Sequence, residues 1–582
     1  MPKLKDCLLV AGKSPKDRCK SNELERKSLM QSEMVVSVTE RTCEWNNVNW
    51  KKANRIVRNL RQRIFRATQE GNLKKVRRLQ RLLMRCYSNT VTSVRKVTQT
   101  NKGKNTAGVD KLVVKTPEAR GLLADILLKF IPWKPYPTRR VYIPKSNGKQ
   151  RPLGIPSIID RCLQAIVKNA LEPFWESKFE GSSYGFRPGR SPHDAIAKIF
   201  LVACPHRRKK WVVDADIKGC FDNIAHEPLL ETIGNFPARK LISLWLKAGY
   251  VDKGVFCNTE AGTPQGGVIS PLLANIALHG MEEALGVKYD NRNQLISKRA
   301  IVRYADDFVL FCETKEDADN SVEILNKWLG KRGLTLSTEK TRIVHLSEGF
   351  DFLGFNVRQY AVSNTKTGWK LLIKPSNKSV QSIRNELRHN WLHLKSQGVG
   401  SIVAKLNPII RGWSNYYRIG VSSETFEKLE NWMFHREKRY AKRMHPRKSD
   451  GWQNRRYFGK LNPNRDDNWV FGDKQTGAFL QKFSWFKIKR HTLVKGKSSP
   501  DDPDLKEYWE ERKRANVKEL KPTYQEIAKK QSNVCPVCGD SLANGEEIHK
   551  HHIIPRHKGG KDTYSNLILV HLFCHQQIHS NT

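Results

Sequence analysis

Hydrophobic and polar positions recur with two different periods along this chain, and the two periods predict different elements. In residues 210–217 acidic and apolar side chains alternate, so Asp214 and Asp216 would project from one face of a β-strand. Two short apolar runs, residues 300–303 and 308–312, flank a tight Tyr-Ala-Asp-Asp turn and predict a β-hairpin. Spacings of three and four residues predict helices instead, with apolar stripes at Ile56, Leu60 and Ile64, at Leu79, Leu82 and Cys86, and at Val380, Ile383, Leu387, Trp391 and Leu394.

Three carboxylates are concentrated at the predicted hairpin and strand. Asp306 and Asp307 would lie at the hairpin tip, and Asp216 would end a strand of matching character. Nucleotidyl transfer by two metal ions needs carboxylates from separate elements that converge on ions about 4 Å apart. The three residues therefore predict a site of this kind. For the hairpin alone, the alternative is an ordinary surface turn.

The chain is strongly basic. Its 582 residues include 104 Lys or Arg against 57 acids, a net charge of +47, so we expect a polyanionic partner, most simply nucleic acid. Residues 51–100 contain fifteen Lys or Arg and a single acid, Glu70. With their apolar stripes packed inward, these residues predict a helical surface that binds phosphate. A chain of this length should also contain several domains, because it exceeds one hydrophobic core.

Signals for membranes and secretion are missing from the sequence. It has no apolar run of about 18 residues, and residues 1–30 lack the apolar core of a signal peptide. We therefore expect a soluble, intracellular protein with no membrane partner. Nine of the twelve cysteines are scattered, which is typical of free thiols in a reducing compartment, and three cluster near the C-terminus.

The C-terminal cluster has the spacing of a structural zinc site. Cys535 and Cys538 form one pair with two intervening residues, and His571 and Cys574 form another. Four soft or borderline ligands in two short groups are typical of zinc. Further candidates for chemistry are interleaved with them, namely His551, His552, Asn566, His575 and His579.

From residue 44 to the C-terminus the chain resembles the reverse transcriptase and maturase proteins encoded by bacterial group II introns. The resemblance is carried by sequence blocks that occur in the family's order. These blocks are residues 106–110, 143–156, 183–191, 214–222, 262–272, 304–307, 336–340 and 352–355. The resemblance implies RNA-directed DNA polymerase activity and a right-hand polymerase fold.

The resemblance also implies roles for individual residues of the polymerase. Asp216 and Asp306 would hold two Mg²⁺ ions, with the carbonyl of Ile217 as a further ligand and Asp307 as a weaker participant. For the incoming dNTP, Phe221 would be a steric gate against the ribose 2′-hydroxyl, and Gln265 would lie beside the sugar and base. Lys145 and Arg151 would bind the triphosphate, and Lys340 would protonate the leaving pyrophosphate.

Beyond the polymerase, residues 376–445 are predicted to be helical, and residues 406–417 resemble the thumb motif of group II maturases. That motif implies binding of the unspliced intron RNA, which stabilises the RNA's catalytic fold and so promotes splicing. The alternative for Trp413 and Tyr416 is a role in the thumb core. Residues 446–495 combine basic and aromatic side chains, including those at 455–458 and 483–487, and match the position of the family's DNA-binding region. Residues 498–504 are predicted to be a linker.

The last module resembles the HNH nuclease fold, a β-hairpin and helix around one catalytic divalent ion. By that resemblance His552 is the general base and Asn566 orients the loop that carries it. His551, His575 and His579 would surround the catalytic metal. The family often has cysteine where this chain has His571, which is also an acceptable zinc ligand. The alternative is a zinc ribbon that binds DNA without cutting it.

We therefore predict a multidomain α+β protein with a right-hand polymerase, an α-helical thumb, a DNA-binding region and a small zinc-containing ββα-metal (HNH) domain. The predicted divisions are an N-terminal extension of unclear role (1–43), fingers (44–205), palm (206–360), thumb or maturase domain (361–445), DNA-binding region and linker (446–505), and endonuclease (506–582).

The predicted function is that of a multifunctional group II intron protein, with polymerase, maturase and target-DNA nicking activities used in intron homing. Intron RNA, target DNA and dNTPs would be its partners, in the bacterial cytoplasm near the nucleoid. One alternative is an RNA-binding splicing cofactor whose polymerase and nuclease have lapsed. Another is a reverse transcriptase recruited to host defence or retroelement diversification.

Overall fold

The computed structural model describes residues 43–129, 132–144, 148, 150–291, 294–517, 520 and 522–580. The predicted N-terminal extension lies outside the described residues except for Cys43. Within the described part, helices and small sheets follow one another in the mixed α+β arrangement that the sequence predicts.

Helices form the larger share of the described secondary structure. The α-helices lie at Trp50–Gln69, Leu73–Met84, Tyr87–Arg95, Pro117–Leu128, Ile158–Glu176, Pro192–Val202, Cys220–Asn223, His226–Ile233, Arg239–Leu246, Ser270–Ala277, Met281–Ala284, Lys315–Gly330, Asn377–His393, Val399–Tyr417, Ser423–Met444, Asp450–Tyr457, Lys506–Val517, Pro522–Lys530 and Leu572–Ser580.

The strands form small sheets and are numbered here in chain order. They are β1 (Thr138–Pro144), β2 (Gln150–Ile155), β3 (Trp211–Asp216), β4 (Tyr250–Asp252), β5 (Val255–Cys257), β6 (Ala300–Tyr304), β7 (Asp307–Cys312), β8 (Arg342–His345), β9 (Phe350–Phe352), β10 (Phe355–Ala361), β11 (Trp369–Pro375), β12 (Phe458–Gly459), β13 (Val470–Asp473), β14 (Ala478–Phe479), β15 (Ile548–His552) and β16 (Leu567–His571). The strand orders are β2-β1-β4-β5, β6-β7-β3-β8, β11-β10-β9, β12-β13-β14 and β15-β16.

The palm sheet contains the predicted hairpin. Strands β6 and β7 pair antiparallel, with Tyr304 opposite Asp307, so Ala305 and Asp306 form a two-residue turn. Ala305 has a φ of 60°, the left-handed conformation that tight hairpin turns require. Strand β3 pairs with β7 on one side and β8 on the other. The hairpin and the strand with alternating acids are therefore confirmed, and they are neighbours in one sheet.

In the fingers, helices Trp50–Gln69 and Leu73–Met84 pack on helix Ile158–Glu176. Leu60 and Ile64 are buried as the first apolar stripe predicts.

The prediction for the second stripe is wrong in part. Leu82 is 51% exposed and its neighbour Leu83 is fully buried. The buried face follows Val76, Leu79 and Leu83, which are three and four residues apart. Cys86 lies beyond the end of this helix and caps the next one.

The thumb has three long helices, and its predicted stripe at Ile383, Leu387 and Trp391 is buried. The ring of Trp413 lies 4.4 Å from that of Tyr417, centroid to centroid. The Tyr416 hydroxyl donates a hydrogen bond to the Leu353 carbonyl at 3.0 Å. These contacts favour the alternative in which Trp413 and Tyr416 belong to the thumb core.

The region at 446–495 places several of its aromatic rings in a core rather than on a surface. Tyr457 and Phe458 are nearly buried, and Phe483 is fully buried. These three rings therefore have no face open to a base, and a DNA-binding role of this region cannot use them for stacking. Trp469 is 50% exposed and has such a face.

The predicted linker at 498–504 packs against the fingers instead. Ser499 and Asp501 are buried. Asp501 forms a 2.6 Å ion pair with Arg61 of helix Trp50–Gln69. The acids that make this segment look unpackable in isolation are neutralised by the basic helix opposite them.

The ten cysteines in the described part of the chain form no disulfides. In the same residues, no helix is both long enough and apolar enough to cross a bilayer.

Candidate active sites

The end of strand β3 and the β6–β7 turn bring the three predicted carboxylates together. Asp216 lies opposite Asp307 in the register of β3 and β7, and Asp306 is in the turn beside them. The Nζ atom of Lys340 lies 2.5 Å from Asp216 Oδ2. Asp214, on the same strand face, pairs with Arg342 at 3.1 Å instead. The prediction therefore selects a set of residues that the fold does bring together.

Buried hydrogen bonds of Arg303 and Asn275, called here the Arg303 brace, hold the turn in place. The guanidinium of Arg303, which is 2% exposed, donates hydrogen bonds to the Ala305 carbonyl and the Asn275 Oδ1 atom, each at 3.1 Å. Asn275 in turn donates to the Gly185 carbonyl at 2.8 Å. A Cβ on Gly185 would lie 2.2 Å from the Ala305 nitrogen, so only glycine fits there. Sequence reasoning missed Arg303 and Asn275, although an arginine inside an apolar strand signals a buried partner.

The carboxylates raise one another's proton affinity. Desolvation, followed by the neighbouring Asp306 and Asp216, raises the pKa of Asp307 to about 7. Desolvation and Asp216 also raise the pKa of Asp306. Carboxylates that the fold holds together despite desolvation and mutual repulsion are typical of a cation site.

Two predicted nucleotide-binding residues, Arg151 and Gln265, form a hydrogen-bonded chain that ends at Asp222. Arg151 Nε donates to Gln265 Oε1 at 2.7 Å, and Gln265 Nε2 donates to Asp222 Oδ2 at 3.3 Å. Phe221, next to Asp222, is 6% exposed and meets the ring of Phe186 edge-on at 6.1 Å. Asp222 and Phe186 were not predicted, although both lie in the sequence blocks that carry the resemblance.

The prediction for the polymerase site includes two further residues, Lys145 and Ile217. Lys145 lies outside the described residues. Ile217 directly follows β3 and forms a bridge with Leu336, which fixes the backbone at this position.

In the C-terminal module, the predicted zinc ligands converge in a buried site. The ligand atoms of Cys535, Cys538, His571 and Cys574 all lie within 4.8 Å of one another. His571 Nε2 lies 3.2 Å from the Ser541 carbonyl, and its Nδ1 lies 3.3 Å from Cys538 Sγ. If Nε2 carries the proton, Nδ1 presents its lone pair to the cluster, as a metal-binding imidazole requires. The donor set and its geometry fit a zinc ion.

A second cluster is formed by the three predicted histidines. The ligand atoms of His551, His575 and His579 lie within 4.8 Å of one another, and the Nε2 atoms of His575 and His579 are 3.2 Å apart. Burial and then the charge of His579 lower the pKa values of His551 and His575. Neutral imidazoles keep their lone pairs, so this cluster also fits a divalent cation.

His552 and Asn566 lie next to this histidine cluster, at the ends of β15 and β16. His552 Nε2 lies 2.5 Å from Asp562 Oδ1. The side chain of Asn566 accepts a hydrogen bond from the Ile554 nitrogen at 2.7 Å and donates one to the Ile554 carbonyl at 3.0 Å. The loop that follows His552 is thus held on both sides by one amide.

Asp562 is the residue of this site that sequence reasoning missed. It contacts His552 and also accepts a 2.6 Å hydrogen bond from Arg556. Both partners lower its pKa. Its only signal in the sequence is a single acid between two glycines and Asn566, and many surface loops have such a pattern.

Family comparisons match four parts of the chain. Residues 45–127 match the N-terminal domain of reverse transcriptase, and residues 143–357 match reverse transcriptase (RNA-dependent DNA polymerase). Residues 380–458 match the group II intron, maturase-specific domain, and residues 535–581 match HNH endonuclease. Each of the two candidate sites lies within a match of the corresponding kind.

Similar proteins come from bacteria and from a yeast intron. Protein YkfC of Escherichia coli is 38% identical over 315 residues, which are 48% of this chain and 82% of that protein. Group II intron-encoded protein LtrA of Lactococcus lactis is 32% identical over 397 residues, 55% of this chain and 63% of LtrA. An uncharacterized 91 kDa protein in the cob intron of Schizosaccharomyces pombe is 29% identical over 403 residues, 54% of this chain and 48% of that protein. The chain thus spans less than two thirds of the last two relatives.

Proposed function

We propose that the chain is a group II intron-encoded reverse transcriptase and maturase with a C-terminal HNH endonuclease domain, and that it copies RNA into DNA, assists intron splicing and nicks target DNA. The observation that carries the proposal is the β3–β7 register, which sets Asp216 opposite Asp307 beside the Asp306 turn. Two carboxylate-bearing elements meet there.

In the polymerase, Asp216 and Asp306 would hold two Mg²⁺ ions, with Asp307 and the Ile217 carbonyl as supporting ligands. When bound, the ions supply positive charge at the attacking 3′-hydroxyl and at the leaving pyrophosphate. The Arg303 brace keeps the turn rigid, so the carboxylates need little reorganisation during reaction.

Substrate dNTP would enter between the fingers and the palm. Arg151 would break its hydrogen bond to Gln265 and bind a phosphate of the dNTP instead, because a guanidinium binds phosphate more strongly than it binds a neutral amide. Gln265 would then be released to contact the incoming sugar, and Lys145 would add charge at the phosphates. Phe221, next to Asp222 in the sequence, would exclude the 2′-hydroxyl by its bulk. Lys340 would leave Asp216 to donate a proton to pyrophosphate.

In the nuclease, His552 would act as general base towards water. Asp562 accepts a hydrogen bond from Nε2–H, which leaves Nδ1 with the lone pair that takes the proton. Asn566 holds the loop after His552 in place. His551, His575 and His579 would hold the catalytic divalent ion, and Cys535, Cys538, His571 and Cys574 would hold structural zinc.

These parts fit one order of events on intron RNA and target DNA. The thumb and the basic helices at 51–100 would bind the intron RNA, while the region at 446–495 would bind the target. A nick made by the nuclease creates a 3′-hydroxyl, which is the primer that the polymerase requires. The polymerase would extend it along the intron RNA.

Primer extension tests the proposal. The protein is given a primed RNA template, dNTPs and Mg²⁺, and wild type is compared with Asp306→Ala and with Asp319→Ala. Asp319 is an exposed acid on helix Lys315–Gly330 and serves as the matched control. We expect extension by wild type and Asp319→Ala and none by Asp306→Ala. If the wild type binds RNA but makes no cDNA, the polymerase assignment fails and the splicing-cofactor function takes its place.

A further inference from the structure

The nuclease module lies directly on the first helices of the polymerase fingers. Gln577, in the last helix, donates to the Asn46 carbonyl at 2.6 Å. Trp50 and Val94 of the fingers share one buried apolar cluster with Leu569 and Val570 of β16. The two domains, at opposite ends of the sequence, are therefore parts of one packed unit.

The fingers also contact the zinc-binding turn of the module. Asn54 Nδ2 donates to the Cys538 carbonyl at 3.0 Å and to Asp540 Oδ2 at 2.8 Å. Arg58 adds an ion pair to Asp540 at 3.6 Å. One helix of the polymerase therefore holds the turn that presents two of the four cysteine and histidine ligands.

A buried arginine from the fingers lies against the ligands themselves. Arg95 is 8% exposed, and its Nη2 atom donates to Cys574 Sγ at 3.0 Å. Its guanidinium also lies over the Trp50 ring, 4.5 Å from the centroid. A guanidinium at this depth needs negative partners. Glu546 and Asp540 interact with it electrostatically, but the sulfur to which it donates is that of Cys574, which carries a negative charge only as a thiolate.

The net charge of the metal-bound site would account for the burial of a charged arginine beside it. Three thiolates, one neutral imidazole and one Zn²⁺ carry a net charge of −1. Arg95 supplies the matching positive charge inside the same buried region. An N–H···S bond also withdraws charge from the thiolate and so disfavours its protonation, which is the first step of metal loss.

We propose that the polymerase fingers complete the zinc centre of the nuclease. Arg95 donates to the zinc-bound thiolate of Cys574, and Asn54 holds the Cys535–Cys538 turn. Metal occupancy and docking of the nuclease on the polymerase are then one coupled equilibrium. The assignment of the ion as zinc rests on the proposed function, whereas the contacts of Arg95 and Asn54 do not. The consequence is a fixed position of the nicking site relative to the polymerase cleft.

Zinc release from the full-length protein tests this coupling. Transfer of zinc to a chromogenic chelator is timed for wild type, Arg95→Ala, Arg95→Lys and Arg63→Ala. Arg63 is exposed on helix Trp50–Gln69 and is the matched control. We expect release to be about ten to one hundred times faster for Arg95→Ala, intermediate for Arg95→Lys, and unchanged for Arg63→Ala. Equal rates for wild type and Arg95→Ala would overturn the proposal.

Amide hydrogen exchange tests docking without using enzyme activity. After zinc is removed from the wild type, we expect protection to fall in β15 and β16 and also in the first turns of helix Trp50–Gln69. A loss confined to the C-terminal module would overturn the coupling. Asn54→Ala, a milder change at a partly exposed residue, should also speed zinc release, and serves if Arg95→Ala fails to fold. An inactive nuclease would refute the nicking function and leave both readouts intact.

Discussion

The polymerase cleft and the cysteine-histidine centre of the nuclease module are built in different ways. Cys535, Cys538, His571 and Cys574 are buried, and their ligand atoms already form a compact group. The carboxylates of the cleft form no such group, and Asp216 faces the Nζ atom of Lys340. The first site is closed by the fold, whereas in the second Asp307 is exposed and Asp216 pairs with the exposed side chain of Lys340.

This difference reflects what each site must do. A structural zinc site, as proposed for the four cysteine and histidine ligands, would stabilise the fold and need no exchange, so burial and outer-shell contacts such as Arg95 would serve it. A polymerase site must admit substrate and release pyrophosphate in every cycle, so it needs access to solvent. Changes in the two regions should therefore have separable effects.

Removal of a cleft carboxylate should have the largest effect. Asp216→Asn removes one negative charge from the ion site, and we expect extension to fall by about a thousandfold or more. DNA nicking and zinc content should stay at the wild-type level, since neither depends on the palm. Primer extension and nicking assays on the same preparation check both expectations. A loss of zinc in Asp216→Asn would contradict the claim that changes in the two sites have separable effects.

Substitutions in the nuclease site should have the opposite pattern, with nicking lost and extension kept. His552→Ala removes the proposed base, so nicking should fall by about a hundredfold to ten-thousandfold while extension persists. Asp562→Asn keeps the shape but removes the charge that orients His552, and should cost about tenfold. A nicking assay over a range of pH measures both. The assignment of Asp562 would be wrong if Asp562→Asn nicked at the wild-type rate at every pH.

Phe221 should affect which nucleotide is used rather than how fast. Phe221→Ala opens space beneath the sugar, so we expect discrimination against ribonucleotides to drop by about ten to one hundredfold. Extension with dNTPs should change only a few-fold. Single-nucleotide incorporation with dNTP and rNTP pairs measures the ratio, and Phe256→Ala, at an exposed site on β5, is the control. Unchanged discrimination would remove Phe221 from the site.

The smallest effect concerns pH and stability. Asp307 has a pKa of about 7 in the folded protein, whereas an unfolded aspartate titrates near about 3.9. Between these values the folded state binds more protons, so its stability falls as the pH rises. Desolvation raises this pKa, yet the Asp307 side chain remains exposed, so solvent screening limits the effect on stability to no more than about 1 kcal/mol. Thermal unfolding at pH 6 and 8 should show a larger gain from Mg²⁺ at pH 8, and Asp307→Asn should abolish this difference.

Local patterns sufficed to predict the elements that carry each site. The alternation in β3, the two-residue turn after Tyr304 and the paired spacing of Cys535 with Cys538 are all short-range features. The family resemblance then identified which residues matter among many similar ones. The set of candidate metal ligands was therefore predictable before any contact was known.

Contacts between distant segments were not predictable in this way. Asp501 appears in sequence as part of a charged linker, yet it is buried against Arg61, which lies 440 positions earlier. Arg95 appears as one more cation in a basic run, yet it contacts Cys574, 479 positions away. Composition cannot separate these buried cations from solvated ones, because only tertiary packing distinguishes them.

The central claim is that two independent sites act in sequence on one target, and a rescue experiment tests it most directly. Complexes of intron RNA with wild type, His552→Ala or Asp306→Ala are given intact or pre-nicked target DNA, with dNTPs and Mg²⁺. We predict that His552→Ala makes cDNA only from the pre-nicked target, and that Asp306→Ala nicks intact DNA without extending it. Failure of the pre-nicked target to rescue His552→Ala, or cDNA synthesis by Asp306→Ala, would contradict the account.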